Sequence, residues 1–416
     1  MIQLTRPTVL LTGLTAIATA RVCQNLTIPI SISAQNAKFT LQAPANDIEV
    51  TNFLLNLAQP GMNFTQSVQN SNDTVTMTPP YFPSTPKPTL TSAKIASVTG
   101  NYSIGATYCE PSTGPGSALE ILTHGIAFDR SYWDFAYASY NYSYTNAALA
   151  RNYSVFFYDR LGLGGSSRGD PVNEIQTNLE LAVLYALTTK LRNGSISGIP
   201  TYRKVVHVGH SYGSILSYAL VQDHPTGLSD GIVLTGFGQN SGNDSTYFTY
   251  GGNFVLARNA SMSLSSYPAG YMASGDRTGV QTNFFAPDNF DPAVLQATYV
   301  TTQPVTVGEL MTLGSGAVGN NTFGGPVLVI TGGKMQLFSP IYSRSIPYEK
   351  NPSLSQVLTT YDRVPDRDIP FCGGNCNSTK PAIPYQSKQY FTNANSFDAV
   401  VVPNSGHGLN LVSTRH

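Results

Sequence analysis

A chain of 416 residues is long enough to bury a large core, as one domain with insertions or as two smaller domains. Hydrophobic residues make up 41% of it, which argues against disorder, and its 23 basic residues balance 23 acidic ones, which excludes a basic field for nucleic acid or anionic lipid. Only 11% of the residues are charged, well below the usual ~25%, so the surface needs another source of polarity.

The N-terminus has the pattern of a secretory signal peptide. Arg6 precedes the apolar run Val9–Ala18, and Ala18-Thr19-Ala20 has the small-x-small form of a cleavage site. The run is short and interrupted by Thr and Gly, so stable membrane insertion is the weaker interpretation. We therefore predict a signal peptide over residues 1–20 and a secreted, extracellular mature chain that begins near Arg21.

Glycosylation acceptors of the form Asn-x-Ser/Thr recur along the chain and would supply the missing polarity. They are Asn25, Asn63, Asn72, Asn101, Asn141, Asn152, Asn193, Asn243, Asn259, Asn320 and Asn377. Behind a signal peptide, this number of acceptors predicts a glycoprotein.

The four cysteines, Cys23, Cys109, Cys372 and Cys376, are disulfide candidates, because an even number in a secreted chain favours disulfides over metal binding or catalysis. Four cysteines allow three pairings. The short Gly-containing loop from Cys372 to Cys376 could close on itself, which would leave Cys23 with Cys109.

The first part of the chain, residues 21–100, has short apolar alternations broken by Pro, Asn and Gly. This pattern predicts a β-rich segment of strands and loops. The Pro-rich stretch Thr78–Lys94 predicts an exposed connector to the main domain, which we place at residues 101–416.

The main domain alternates buried strands with helices. Its short apolar runs predict strands at Ala118–Leu122, Tyr153–Tyr158, Lys204–Val208, Gly231–Thr235, Pro326–Ile330 and Phe397–Val402. One helix is predicted to start at the Asp170 cap and end at Asn193-Gly194, and another spans Ser214–Gln222. This alternation predicts a mostly parallel sheet flanked by helices, with a cap insertion at about 238–325.

The strongest chemical signal is Gly209-His210-Ser211-Tyr212-Gly213. It follows a predicted strand and opens a predicted helix, as a nucleophile elbow requires, and its glycines permit the tight turn. An ordinary Gly-rich turn is the alternative. The context favours Ser211 as a nucleophile.

A serine hydroxyl needs a base, and six histidines compete for that role. His407 follows the last predicted strand. In folds with a nucleophile elbow, serine, acid and histidine follow one another in this order along the chain, so a base is required there. His210 adjoins the serine but points elsewhere on the elbow, so a packing role is expected. The remaining four are His124, His207, His224 and His416.

Attack on a carbonyl also requires donors for the oxyanion. The backbone N–H of Tyr212 is one predicted donor, because it follows the nucleophile. The second is expected from the turn after Thr123, where we assign the N–H of Ile126, with Gly125 shaping the turn.

Taken together, these motifs resemble a family of secreted fungal α/β-hydrolases. The resemblance covers most of the chain from about Asn101 onward. It is carried by the segments 123–126 with 128–134, 158–162, 170–174, 208–213, 233–237 and 372–376. It implies the α/β-hydrolase fold, hydrolase activity and secretion, but no particular substrate.

The acid departs from the family pattern. Such enzymes usually carry Thr-Gly-x-x-Asp after the strand that precedes Thr331, whereas Met335 occupies the acid position here. Excision of Gly333 to Pro365 would join Thr331-Gly332 to Asp366-Arg367-Asp368 and restore the pattern. We therefore predict Asp368 as the acid, with Asp366 and Asp362 as alternatives. The insertion 333–365 is either a surface loop or a translated, retained intron.

The C-terminus departs as well. Family members usually continue past the histidine with a helix packed on the sheet, whereas this sequence stops at His416. We expect the missing helix to expose apolar surface of the sheet.

The sequence thus predicts a serine hydrolase that cleaves a small-molecule carboxylic ester through an acyl-enzyme, without metal or organic cofactor. A Ser at the elbow argues against epoxide and haloalkane chemistry, which needs an Asp nucleophile. Asp159 and Arg160 are predicted to brace the site. Two alternatives remain open: a peptidase of the same fold, and a non-catalytic binding glycoprotein.

Overall fold

The computed structural model describes residues 21–57, 65–67, 74–78, 93–239, 244–287, 289–317, 319–333, 376–377 and 380–411. The predicted signal peptide, most of the Pro-rich connector and nearly all of the predicted insertion 333–365 lie outside these residues.

The strands are β1 Arg21–Lys38, β2 Thr65–Ser67, β3 Thr74–Thr78, β4 Ala93–Pro111, β5 Leu119–Thr123, β6 Ser154–Tyr158, β7 Val205–His210, β8 Gly231–Thr235, β9 Phe254–Leu256, β10 Tyr271–Ser274, β11 Val305–Thr306, β12 Val327–Gly333 and β13 Phe397–Pro403.

The α-helices are α1 Asp47–Leu57, α2 Tyr137–Tyr140, α3 Tyr144–Leu149, α4 Thr177–Arg192, α5 Tyr212–Asp223, α6 Asp244–Gly251, α7 Ala257–Ala260, α8 Arg277–Phe284, α9 Pro292–Val300, α10 Val307–Thr312 and α11 Ile383–Gln386. Short 3-10 helices occur at Arg130–Asp134, Met262–Leu264, Leu313–Ser315, Ser387–Tyr390 and Leu409–Leu411.

A ten-stranded sheet forms the centre of the molecule, in the order β13-β12-β8-β7-β5-β6-β4-β3-β2, with β1 paired to β4. The six strands from β6 to β13 in this order run parallel. Strands β5 and β6 are buried at every position, because helices cover both faces of a parallel sheet. This architecture is the predicted α/β-hydrolase fold.

The predicted strands of the main domain are confirmed with small changes at their ends, and Gly231–Thr235 has the predicted bounds. The predicted start of the long helix is wrong. Asp170 accepts hydrogen bonds from the amides of Val172 and Asn173 in a preceding turn, and regular helix begins only at Thr177. The predicted end is correct, with Asn193 as the C-cap.

The N-terminal segment contains a helix that the strand-and-loop interpretation missed. The side chain of Asn46 accepts a hydrogen bond from the Glu49 amide and donates one to the Glu49 carboxylate, which caps α1. Val50, Phe53 and Leu54 lie on its buried face. The spacing of three and four residues is helical, so the signal was present in the sequence.

Strands β1 and β4 form a long antiparallel pair that joins this segment to the central sheet, since β4 also pairs with β6. The predicted boundary at residue 101 therefore falls inside a continuous strand. Cys23 lies opposite Cys109 in the register and forms the predicted disulfide with it. Cys376 is disulfide-bonded as well, and its predicted partner Cys372 lies outside the described residues.

Between β8 and β12 the chain leaves the central sheet, over the segment in which the cap is predicted. Its described residues form the helices α6 to α10 and a small antiparallel sheet in the order β11-β10-β9. Backbone hydrogen bonds tie this segment to loops at the carboxyl edge of the central sheet; among them are Gly408 N–H to Phe284 O at 2.9 Å and Gln303 N–H to Ala127 O at 3.0 Å. None of the helices in the described part of the chain is both long enough and apolar enough to cross a membrane.

Candidate active site

Ser211 lies at a sharp turn between β7 and α5. Its backbone angles, φ 54° and ψ −117°, are strained for a residue with a side chain. A Cβ on Gly209 would overlap the backbone of Gly213, and a Cβ on Gly213 would overlap the carbonyl of Thr123. Both glycines are therefore required by close backbone contact, and the turn has the conformation of a nucleophile elbow.

The turn after β5 lies against Ser211. A Cβ on Gly125 would be 2.8 Å from the Cβ of Ser211, so only a glycine allows this approach. The next residue, Ile126, is buried. Neither its N–H nor that of Tyr212, the first residue of α5, donates a hydrogen bond to an acceptor in the described part of the chain. The helix dipole of α5 adds partial positive charge at the Tyr212 end.

His407 is buried in the loop after β13 and lies close to the elbow. Its ring centroid is 4.9 Å from that of His210 and 5.9 Å from that of Phe284. A Cβ on Gly236 would be 2.7 Å from His407 Cε1. Because Thr235, the residue before Gly236, accepts the Ser211 N–H at 2.8 Å, His407 and Ser211 flank the same strand end.

His210 packs beside these residues. Its ring is stacked on Tyr132 at 4.5 Å, with an angle of 16° between the planes, and its Nδ1 is 3.2 Å from the hydroxyl of Thr235. Nε2 is buried and has no hydrogen-bond partner among the described residues. Burial lowers the pKa of His210 well below its usual value, and His407 and His124 lower it further. A neutral, packed ring agrees with the expected packing role.

Two other histidines are structural. His124 Nδ1 lies 2.9 Å from the carbonyl oxygen of Gly125, and the Arg160 N–H donates to His124 Nε2 at 3.1 Å, so His124 fixes the turn next to Ile126. His207 lies inside β7, where both ring nitrogens contact hydroxyl groups at 2.9 Å. Burial lowers the pKa of His207 to about 3.

Arg160 supports the first residue of α5, the helix that follows Ser211. Its guanidinium is fully buried, lies 4.6 Å from the centroid of the Tyr212 ring, and donates to Glu180 at 2.6 and 2.9 Å and to Glu309 of α10. Burial opposes its charge, but the two carboxylates raise the pKa of Arg160 above its usual value. Burial in turn raises the pKa of Glu180 well above its usual range.

Asp159 holds the neighbouring loop. It accepts hydrogen bonds from the Arg130 side chain at 2.7 Å and from the Gly165 N–H at 2.8 Å. Neither its contacts nor those of Arg160 include Ser211, which agrees with bracing rather than chemistry.

The predicted acid, Asp368, and its alternatives Asp366 and Asp362 lie outside the described residues. Among the residues described, no group of three or more His, Cys, Asp and Glu side chains could hold a metal ion. Sequence reasoning missed Gly236, Phe284, Glu180 and Glu309. Gly236 could have been found, because a glycine directly after a strand indicates close approach of another group.

A parallel sheet with a nucleophile elbow at the end of β7 and a histidine after its last strand defines the α/β-hydrolase class. A search with family profiles matches residues 121–415 to the alpha/beta hydrolase family, and this chain belongs to that family. A search of curated proteins finds no match.

A search of solved structures finds matches of low sequence identity. They include a hydrolase from Pseudomonas aeruginosa (15% identity, TM-score 0.42), which covers 73% of this chain and 87% of its own. A bromoperoxidase from Bacillus anthracis is 13% identical with a TM-score of 0.41, over 74% of this chain and 90% of its own. An esterase from Exiguobacterium antarcticum is 11% identical with a TM-score of 0.42, over the same two fractions, 74% and 90%.

Proposed function

We propose that this chain is a secreted serine hydrolase, of the fungal group that its motifs resemble, and that it cleaves a small-molecule carboxylic ester. The observation that supports this proposal most strongly is the strained elbow at Ser211. The His407 ring lies next to this elbow, against His210 and Gly236. In the proposed mechanism, Ser211 Oγ attacks the ester carbonyl while His407 takes the hydroxyl proton.

The N–H groups of Tyr212 and Ile126 then stabilise the oxyanion. Collapse of the tetrahedral intermediate expels the alcohol, which receives the proton from His407. Water, activated by the same imidazole, hydrolyses the acyl-enzyme. Asp368 is proposed to hold the imidazole tautomer. The segment between β8 and β12 is proposed to cap the site, and its contacts with Ala127 and with the His407 loop support that role.

The experiment is hydrolysis of a panel of nitrophenyl esters of graded acyl length, alongside matched nitroanilide amides. The parent chain is expected to cleave esters, with a preferred acyl length, and Ser211→Ala to reduce the rate to background. Ser265→Ala is the matched control, because Ser265 is an exposed serine in the segment between β8 and β12. It is expected to retain full activity.

If the amides are cleaved faster than the esters, the protein is a peptidase of the same fold and not an esterase. Equal rates for the parent and Ser211→Ala would refute the nucleophile.

A further inference from the structure

Eight of the asparagines in Asn-x-Ser/Thr sequences lie among the described residues, and all eight are exposed. They are Asn25, Asn101, Asn141, Asn152, Asn193, Asn259, Asn320 and Asn377. A glycan cannot be accommodated in the core, so an asparagine that carries one must be exposed. All eight described acceptors meet this requirement.

Three of them lie at one edge of the central sheet. Asn152 is two residues before β6, and Asn193 directly follows the last residue of α4. The Asn320 carbonyl accepts a hydrogen bond at 3.0 Å from Gln222, in the last turn of α5. Because the helices run antiparallel to the parallel strands they connect, helix ends and strand starts share an edge. This amino edge is opposite the carboxyl edge, where Ser211 lies.

The amide nitrogens of these three side chains are available. Nδ2 of Asn152, Asn193 and Asn320 makes no hydrogen bond to any acceptor among the described residues, and Asn193 uses only its oxygen, which accepts the Ser195 N–H at 3.0 Å. Asn259 is different, because its Nδ2 donates to both carboxylate oxygens of Asp47 at 3.0 Å.

We propose that Asn152, Asn193 and Asn320 carry N-linked glycans that cover the amino edge of the sheet, opposite the elbow. The sugars supply polarity to a surface on a chain with only 11% charged residues, and they leave the substrate's approach to Ser211 open. The proposal rests on the secretion part of the proposed function and not on its chemistry.

The test expresses the full chain, with its own N-terminus, in a eukaryotic secretory host. Peptide N-glycosidase in heavy-oxygen water converts each glycosylated Asn to labelled Asp, which mass spectrometry locates. Asn193→Gln, Asn320→Gln and Asn152→Gly each remove one acceptor. Glycine is chosen for Asn152 because its φ of 62° suits glycine. Ser195→Ala destroys the Asn193 acceptor sequence independently.

The expected result is heavy-oxygen label at all three asparagines and the loss of one step in gel mobility for each single variant. Asn395→Gln is the control, because Asn395 is exposed just before β13, at the same edge, but is followed by Ser-Phe and is not an acceptor. It is expected to change nothing. The triple variant is expected to hydrolyse esters at the parent rate.

Secreted chain without label at these three positions would overturn the proposal, and so would a chain retained in the cell without sugar. The ester assay keeps the two claims separate. Labelled but inactive protein contradicts the hydrolase, whereas active protein without label contradicts only the glycans.

Discussion

The ring of His407 lies 4.9 Å from the ring of His210, the residue that immediately precedes Ser211. These histidines are far apart in the sequence, and the parallel sheet brings them together, because β7 and β13 end at the same edge. Gly236, at the end of β8 between those strands, is the residue that leaves room for both rings: a Cβ there would be 2.7 Å from His407 Cε1 and 3.0 Å from His210 Cε1.

Gly236→Ala is therefore expected to displace the His407 ring. Misplacing a catalytic group by about 1 Å costs about 100-fold in rate, so kcat should fall by at least about that factor with little change in KM. Ester kinetics of the purified variant check this.

The control for Gly236→Ala is Gly227→Ala. Gly227 also has a positive φ, 85°, but a Cβ there would meet nothing within 4 Å. It imposes comparable backbone strain without touching the site, so it should keep parent activity. If both variants lose the same amount of activity, backbone strain alone explains the effect, and displacement of the His407 ring does not.

Arg160→Met is expected to destabilise the fold strongly, because it leaves Glu180 and Glu309 buried without their cation. Removing one partner of a buried ion pair costs about 3–5 kcal/mol of the free energy of unfolding. Urea unfolding followed by fluorescence measures it.

A matched surface pair provides the comparison. Arg192 bonds to Asp230 at 2.6 Å with about a quarter of each side chain exposed, so Arg192→Met should cost only about 1 kcal/mol or less. If the two variants lose equal stability, the buried cluster of Arg160, Glu180 and Glu309 does not stabilise the fold more than a surface ion pair does.

Glu120 lies on the buried strand β5, and its ionisation is expected to destabilise the folded protein at neutral pH. Burial raises the pKa of Glu120 to about 7, although the hydrogen bond from Tyr144 opposes this. A raised folded-state pKa favours the protonated form, so its stabilising contribution is complete below the unfolded value of about 4.5 and is lost as pH rises through 7.

Glu120→Gln removes that charge and keeps an oxygen acceptor for the Tyr144 hydroxyl, which donates at 3.0 Å. The variant should be more stable than the parent above pH 7, by at most about 3 kcal/mol, and the two should converge near pH 4. Thermal unfolding across this range tests it, and a constant difference at every pH would contradict the assigned titration.

His207 acts in the opposite direction. The folded state keeps it neutral, with a pKa of about 3, whereas the unfolded chain binds a proton below about 6.5. Its contribution is present above pH 6.5 and is lost as pH falls toward 3. Parent stability should therefore fall over this acid range, with a shallower slope for His207→Gln in urea titrations. If the free energy of unfolding falls with pH at the same slope in the parent and in His207→Gln, His207 is not a source of the loss of stability in acid.

The disulfide between Cys23 and Cys109 closes a loop with a sequence separation of 86. Restricting the unfolded chain by a loop of that length contributes about 4.6 kcal/mol. The double variant Cys23→Ser, Cys109→Ser should lose about that much in urea unfolding while keeping ester hydrolysis. A loss of activity without a loss of stability would contradict a purely structural role.

The sequence alone predicted the elements whose signals are local. Gly231–Thr235 was found with its bounds because it is a short, largely buried apolar run. The elbow was found because its two glycines flank Ser211 within two residues. The partners of Arg160 were not found, because Glu180 and Glu309 are 20 and 149 residues away and only the fold brings them together. The true start of α4 was missed because Asp170 caps a turn rather than the helix.

The most direct measurement is to identify the residue that reacts with a fluorophosphonate. Such a probe forms a stable adduct only with an activated serine, and peptide mass spectrometry locates the adduct. If Ser211 is the nucleophile and His407 its base, labelling at Ser211 is rapid and stoichiometric, is abolished in Ser211→Ala and is greatly slowed in His407→Ala. An adduct on another residue, or undiminished labelling of Ser211→Ala, would contradict this assignment.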